Sequence, residues 1–415
     1  MIECNVKRIA VIGGGAAGMM AAGTASEAGA DVTIYEHTDR LGKKLAITGK
    51  GRCNVTNNCD VQEFMENVTK NPRFLYSALY AFPPSKTIDF FTTLGAELKT
   101  ERGNRVFPEN DKAKTIVDAM KKYVAGCRVV YQKVRSVTFG DKGFTVLTDK
   151  EDFYDSVIIA TGGRSYPLTG SDGSGYRLAA KLGHSVTALT PSLIPIESPA
   201  AFCADMMGLS LKNVGMRITD KNGKCLYTDF GEMMFTHFGV TGPMVLSASA
   251  HIRDYDISTL TMCIDLKPAL DEKTLDARLL SDFGEKANKN YSNSLTSLLP
   301  SKMIPTFIIM SGIDGERKVN TITKEERKKI LSTLKCFKIP LSRFRPIEEA
   351  IITSGGISVK ELSPRTMESK IVPGLFFAGE IIDTDAYTGG FNLQIAFSTG
   401  YLAGKFAAKK TTNED

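Results

Sequence analysis

The sequence predicts an α/β fold in which a dinucleotide-binding βαβ unit opens a domain that a second domain interrupts. Three observations predict it. An apolar run, Ile9 to Ile12, meets Gly13-Gly14-Gly15-Ala16-Ala17-Gly18, and a second apolar run, Val32 to Tyr35, ends at Glu36. Glycine-rich segments return near the other end of the chain, at 354–356, 373–380 and 387–390. The block between, residues 191–345, carries no nucleotide signature.

Taken in order, Gly13 permits the tight turn out of the first strand, Gly15 lets the backbone approach a pyrophosphate, and Gly18 lets the helix lie close on the sheet. The helix N-terminus then faces the phosphates, and the Ala- and Gly-rich stretch from Ala16 to Ala28 makes the close packing sterically possible. Glu36, about 20 residues past the glycines, sits where a carboxylate accepts hydrogen bonds from the adenosine ribose hydroxyls. An acid there disfavours the 2′-phosphate of NADP, and the choice between NAD and FAD stays open. Gly42 to Asn58 reads as a loop dense in Gly, Lys, Thr and Asn. Phe153 to Gly163 reads as one buried strand ending in a glycine pair.

The texture changes around Leu189, where Pro191 and Pro195 open a stretch of short strand-like runs, Val214 to Thr219 and Lys224 to Asp229, followed by GEMMFTHFGVTGP at 231–243. Ile257 to Leu266 alternates like a strand. Glu272 to Leu298 and Lys324 to Leu334 are helix-compatible and amphipathic. The expected division is therefore a discontinuous nucleotide domain, 1–190 with 346–415, and an inserted domain, 191–345. A final helix, Phe391 to Lys409, carries Ala396, Gly400, Gly404 and Ala408 at i+4 spacing, suited to close packing or to a flat ligand. It starts at Gly389-Gly390, which leaves unpaired N–H groups and partial positive charge at its N-terminus.

Composition bounds the function. The chain has 415 residues, 42% of them apolar and 24% charged, with 52 basic and 46 acidic side chains giving +6. Such a charge is too small and too dispersed to imply nucleic acid, and no apolar stretch approaches the roughly 20 residues of a membrane span. The N-terminal apolar run is a first strand rather than a secretion signal, so a cytoplasmic protein is expected. The eight cysteines form no C-x-x-C pair and no metal-ligand spacing with the four histidines, so reduced thiols and no metal are expected. Cys53 and Cys59 are read as unrelated rather than as a redox pair.

The motifs GGGAAG with Glu36, GKKLAITGKGRCNVTN at 42–57, ATGGRSYPLTGSDGSGY at 160–176, GEMMFTHFGVTGP at 231–243 and GLFFAGEIIDTDAYTGGFNLQIAFSTGYLAG at 374–404 together resemble the BaiN/YhiN flavoproteins, also called aminoacetone-oxidase-type FAD-binding enzymes. The resemblance spans nearly the whole chain. It implies FAD and a Rossmann-type FAD-binding domain of the glutathione-reductase superfamily, interrupted by an inserted β-barrel (191–266 and 318–345) with a small helical part (267–317). By motif, Gly13, Gly15, Ala16, Ala17, Gly18 and Glu36 would hold the ADP half, with Ala160, Thr161 and Gly162 on the returning strand. Lys44, Thr48, Gly49, Gly51, Arg52 and Asn54 would follow the pyrophosphate and ribityl chain. Gly379, Glu380 and Asp383 would lie near the ribityl, and Gly389, Gly390, Phe391 and Asn392 would face the pyrimidine side of the ring. Where many relatives have a glycine run before Arg-Cys-Asn, this chain has Gly49-Lys50-Gly51.

A flavin needs from its protein an orientation, a proton donor and a pocket. His237 in its Gly-rich turn and Tyr387 before the paired glycines are the candidate acids, with Tyr166 behind them and Cys53 as a further candidate contact. There is no second dinucleotide motif, so NAD(P)H, if it is the reductant, would bind transiently. The family points to hydride transfer onto a small-molecule substrate such as a bile-acid or steroid enone. The alternatives are oxidation of a small amine with peroxide release and, from another class, a nucleic-acid-binding or tRNA-modifying flavoprotein.

Overall fold

The computed structural model describes residues 6–409; Cys4 lies outside them. The chain forms two units, one from residues up to 192 together with 347 onward, the other from 193–346.

In the first unit, β1 (Arg8–Ile12) leads through α1 (Ala16–Glu27) to β2 (Asp31–Tyr35), and β3 (Arg128–Val130), β4 (Ser156–Ile159) and β5 (Leu375–Phe377) complete a parallel sheet ordered β5-β4-β1-β2-β3. Ile9, Val11, Ile34, Val157, Ile158, Ile159 and Phe377 have no exposed surface, as continuous apolar strands covered on both faces require. The chain leaves β1 toward β2 and β3 on one side and fills β4 and β5 on the other. The carboxyl ends of β1 and β4 therefore flank a topological switch point, the place where such sheets hold ligands.

The last helix, α2 (Phe391–Ala407), packs on α1. A Cβ at Gly400 or Gly404 would stand 2.5 or 2.2 Å from the carbonyl oxygens of Ala17 and Ala21, so these two glycines serve helix packing rather than a flat ligand.

Local expectations change at several places. The run from Phe153 is not one strand: Glu151–Tyr154 belongs to a separate three-stranded antiparallel sheet, and β4 starts at Ser156. Asp155 makes the break, its Oδ2 accepting the Arg8 N–H at 2.7 Å, and Phe153 is exposed. In the second unit, Ile257–Thr259 is a 3-10 turn capped by Asp256 rather than the start of a strand, which begins at Thr261.

The second unit holds one seven-stranded sheet, antiparallel at every pairing. Its order is Phe337–Pro340, Thr261–Asp265, Ser210–Thr219, Cys225–Thr236, Gly239–Thr241, Ile196–Glu197, Arg343–Phe344. Where a barrel was expected the sheet is open among the described residues: its outer strands, Phe337–Pro340 and Arg343–Phe344, each pair only inward. Helices Pro243–Ile252, Glu272–Glu285, Ile304–Ser311 and Lys324–Lys335 bury Phe307, Leu275, Leu279, Ile330 and Leu334 with Phe337 of the sheet in the same core. The helical run expected through Leu298 breaks after Glu285 and resumes as a single turn, Tyr291–Ser294.

The expectation of reduced thiols fails at one place. Cys263 and Cys336, 73 residues apart in sequence, are joined by a disulfide with Cα atoms 5.0 Å apart. The sheet creates that proximity by pairing Cys263 with Lys338, two residues past Cys336. Cys53 and Cys59 are both free.

Candidate dinucleotide site

The site grows from the turn between β1 and α1. Gly13 has φ +108°, and a Cβ there would lie 2.4 Å from the Ala160 carbonyl oxygen, so only glycine lets β1 and β4 end this close together. At Gly15, the N-cap of α1, a Cβ would meet nothing within 4 Å. The unpaired N–H groups of the first helical turn therefore look onto open space, the arrangement that receives an anion. Glu36, buried at the end of β2, accepts from Gly14 N–H at 2.9 Å through Oε2 and from Thr38 N–H at 2.7 Å through Oε1. Each oxygen keeps a second lone pair.

Four segments far apart in sequence meet beside this turn. Lys44 Nζ donates to Glu380 Oε2 and to Ser165 Oγ, each at 2.7 Å. Ser165 Oγ donates to Glu380 Oε1 at 3.0 Å, and the same oxygen accepts the Thr353 N–H at 2.8 Å. Gly162 and Gly163 stand against the Glu380 carboxylate, and Gly379 packs on Ala17 of α1. Ala16 borders the same core. Nearby, Asn54 Oδ1, Thr161 Oγ1 and Tyr176 OH are buried with no hydrogen-bond partner among the described residues. Burial costs such atoms about 1–3 kcal/mol each, so their presence calls for a polar ligand.

The loop after Lys44 is built from left-handed residues. Gly49 and Lys50 lie at φ +57° and +58°, Gly51 at +85° and Cys53 at +60°. Thr48 closes the preceding turn, its hydroxyl on Leu45 O at 2.7 Å and its carbonyl accepting from Cys53 N–H at 2.9 Å. The Arg52 guanidinium bonds Asp111 at 2.9 Å and Glu101 at 3.3 Å and lies 4.1 Å over the Phe107 ring. It ties the loop to the hairpin 98–108. Cys53 is fully buried, and burial pushes its thiol up to about 12.

At the start of α2, Gly390 has φ +97°, and a Cβ would stand 2.3 Å from Thr56 O, so the N-terminus is pressed onto the loop that ends at Asn57. Asn57 Nδ2 donates to Gly389 O at 3.1 Å. Asn392 spends its amide on Ala386 N–H and O at 3.0 and 2.7 Å, and Phe391 is buried edge-on against Phe64 at 5.1 Å. Asn392 thereby holds the loop before α2, and Phe391 holds the core. Tyr387 is half-buried, its N–H on Asn67 O at 3.0 Å. Tyr166 is left-handed and more than a third exposed.

Several residues escape the sequence reading. Lys70 Nζ lies 2.8 Å from Asp383 Oδ1, and Asn71 Nδ2 donates to Asp383 O at 2.6 Å. Gln394, fully buried, accepts from Thr56 and Thr87 hydroxyls and donates to Phe82 O and Ser398 Oγ. The one available signal was Asn71 before Pro72, an amide residue at a left-handed position. His237 belongs to the second unit, exposed in the turn between strands 225–236 and 239–241, its ring 5.0 Å from that of Phe238.

The chain is similar to several known proteins over nearly its whole length. A family model described as "HI0933-like protein Rossmann domain" matches residues 7–406. The chain is 30% identical over 414 residues to the 3-dehydro-bile acid delta(4,6)-reductase of Clostridium scindens, covering 98% of this chain and all of that one. It is also 30% identical over 408 residues to the ribosomal RNA dihydrouridine synthase of Escherichia coli K12, covering 97% and 98%. The 3-ketosteroid delta1-dehydrogenase of Sterolibacterium denitrificans shares the fold at TM-score 0.53 and 12% identity, covering 97% of this chain and 99% of its own. No helix among the described residues is long and apolar enough to cross a membrane.

Proposed function

Because the chain belongs to the HI0933-like Rossmann-domain family, we propose that it is an FAD-dependent oxidoreductase that saturates a carbon–carbon double bond conjugated to a carbonyl, with NAD(P)H as a transiently bound reductant. The observation that carries this reading is the meeting of Lys44, Ser165, Thr353 and Glu380 beside the open face of Gly15, with Asn54 Oδ1 and Thr161 Oγ1 buried and unpartnered. Those residues fit a dinucleotide. FAD, when bound, supplies the two-electron hydride chemistry.

The chain's own residues supply the rest. The N–H groups at the start of α1 bind phosphate oxygens, and Glu36 offers its second lone pairs to ribose hydroxyls. Lys44 and Glu380 offer a cation and a carboxylate to a ribityl chain, and the Gly389-Gly390 end of α2 offers partial positive charge to the pyrimidine edge. Tyr387 is the acid of this unit able to deliver the proton that completes the addition. Cys53 keeps its proton but is closed off.

The two relatives share one chemistry under different names. A 3-oxo steroid with 4,6 unsaturation and a uracil ring both present a double bond conjugated to a carbonyl, which accepts hydride at the β carbon and a proton at the α carbon. A steroid-type enone is the substrate favoured here. A uracil in ribosomal RNA is the second reading, favoured by the 30% identity to the Escherichia coli enzyme.

The test is an anaerobic titration of the purified protein with NADH, NADPH and aminoacetone, followed by a 3-oxo-4-ene steroid or a uridine-containing rRNA fragment. Bleaching of the flavin by a nicotinamide, then a product two hydrogens heavier, supports the reading. Bleaching by the amine alone makes the protein an amine oxidase, and a colourless protein that FAD does not restore overturns both.

A further inference from the structure

Within the first unit, the hairpin of Leu98–Glu101 and Arg105–Pro108 carries two arginines to a place beside the start of α2. Its second strand pairs on the other side with Thr56–Asn57, which sets Arg105 opposite Asn57. Asn57 Nδ2 donates to Gly103 O at the hairpin tip, at 3.0 Å, and to Gly389 O, at 3.1 Å. One amide thus fastens the tip to the glycines that open α2. The Asn58 N–H holds the tip a second time, on Asn104 O at 2.6 Å. Gly103 and Asn104 are left-handed, at φ +76° and +57°, and a Cβ at Gly103 would meet nothing within 4 Å. The tip is fixed at its backbone and open on its outer side.

Arg105 Nε donates to Arg102 O at 3.0 Å, and its guanidinium carbon lies 5.9 Å from the centre of the Phe107 ring. Both arginines are exposed. The two Nη groups of Arg105 and the whole guanidinium of Arg102 have no hydrogen-bond or ion-pair partner among the described residues. The charges next to them are taken up by one another: Arg52 bonds Glu101 and Asp111, and Lys99 Nζ lies 3.1 Å from Asp111. Arg52 holds both carboxyls below their ordinary values, so both are ionised at neutral pH and these four charges cancel. The tip is left with two guanidinium forks aimed at solvent, the donor geometry that matches phosphate oxygens.

The first unit has one parallel sheet and so one βαβ phosphate cradle, at the start of α1; the other sheets among the described residues are antiparallel. With FAD in that cradle, a second dinucleotide must find cations for its phosphates elsewhere. A nicotinamide brought to a flavin at Gly389-Gly390 carries its pyrophosphate one ribose away. We propose that Arg102 and Arg105 bind the pyrophosphate of the nicotinamide dinucleotide that reduces the flavin. The inference rests on the NAD(P)H-linked reading for the ligand's identity; the binding itself is measurable without turnover.

The probe is ADP-ribose, which keeps the pyrophosphate and lacks the nicotinamide, titrated calorimetrically into the flavin-loaded full-length protein. Arg102→Glu combined with Arg105→Glu is expected to weaken its binding by about tenfold or more, as loss of charge-assisted hydrogen bonds does. Arg102→Lys, which keeps the charge and loses the fork, is expected to fall between that variant and the parent. Arg128→Glu, an exposed change at the amino end of β3, the opposite end of the sheet from the cradle, is expected to bind ADP-ribose as the parent does. Flavin content and melting temperature are expected to be unchanged in all three. The proposal is overturned if the parent does not bind ADP-ribose, if the double variant binds it as the parent does, or if Arg128→Glu weakens it equally. It is also overturned if the double variant loses only binding of a uridine-containing RNA oligonucleotide. Anaerobic flavin bleaching is scored separately: arginine-dependent ADP-ribose binding with no bleaching of the parent by NADH or NADPH overturns the NAD(P)H-linked reading and leaves the pyrophosphate site standing.

Discussion

Lys44 Nζ stands 2.7 Å from Glu380 Oε2, an ion pair that joins residues 336 positions apart with both side chains about four-fifths buried. A pair at this depth is worth little as net attraction, but removing one partner strands the other. Lys44→Met is therefore expected to cost about 2 kcal/mol in urea unfolding and to lower the FAD content of the purified protein, while Lys44→Met with Glu380→Gln recovers part of the stability. Equal stability of the single and double variants would show that the pair does not couple these segments.

Gly15→Ala separates folding from binding. Its backbone is extended at φ −83°, which alanine adopts, and a Cβ there meets nothing within 4 Å. The cofactor-free protein is expected to unfold within about 0.5 kcal/mol of the parent. FAD affinity is expected to fall by about tenfold or more, because the added methyl occupies the space a pyrophosphate needs. Gly13→Ala, whose Cβ would enter the Ala160 carbonyl, is expected to lose stability even without FAD. Unchanged FAD titration of Gly15→Ala would move the phosphate site elsewhere.

What was legible in the sequence is what local pattern encodes. The β1–α1–β2 unit, the acid at its end and the start of α2 are all written in short-range spacing of apolar residues and glycines. That GKKLAITGKG, ATGG and FFAGE are glycine-rich was visible, but that Lys44, Ser165 and Glu380 meet was not, because the contact is made by strand order. Arg52 reads as a phosphate ligand from its loop alone, and its ion pairs with Glu101 and with Asp111, just past the hairpin 98–108, are made by segments that local pattern does not bring to it. Gln394 read as one polar residue in an apolar helix, whereas its four partners come from three distant segments and its own helix.

His184 sets a pH dependence. It is buried, with Nδ1 3.1 Å from Glu361 and Nε2 2.8 Å from Ser369 Oγ. Burial lowers its pKa, and the neighbouring Glu361 only partly offsets this. A group depressed in the folded state binds protons more readily when unfolded, so its stabilising contribution is complete above about pH 6.5 and is lost as pH falls through the folded value. Urea midpoints are expected to decline between about pH 6.5 and pH 5, and the decline is expected to flatten in His184→Gln. A parallel decline in the variant would assign the effect to carboxylates instead.

The Cys263–Cys336 bridge yields a prediction about stability that the reduced-thiol expectation would not. The bridge closes a long loop, its ends 73 residues apart, and removing the crosslink returns entropy to the unfolded chain. The chain-entropy model puts this near 4 kcal/mol as an upper value, since engineered and native bridges commonly deliver less. Because Leu275, Leu279, Ile330 and Leu334 belong to one buried core in this unit, the reduced unit is expected to stay folded but to unfold at lower urea. A thiol titration of the denatured, unreduced protein is expected to find two fewer thiols than the eight in the sequence. Dithiothreitol is expected to lower the urea midpoint of the parent and to leave that of Cys263→Ser unchanged. Eight titratable thiols, with the same midpoint in both redox conditions, would mean that the two cysteines lie close in the fold without being bonded and that the second unit draws its stability from packing alone.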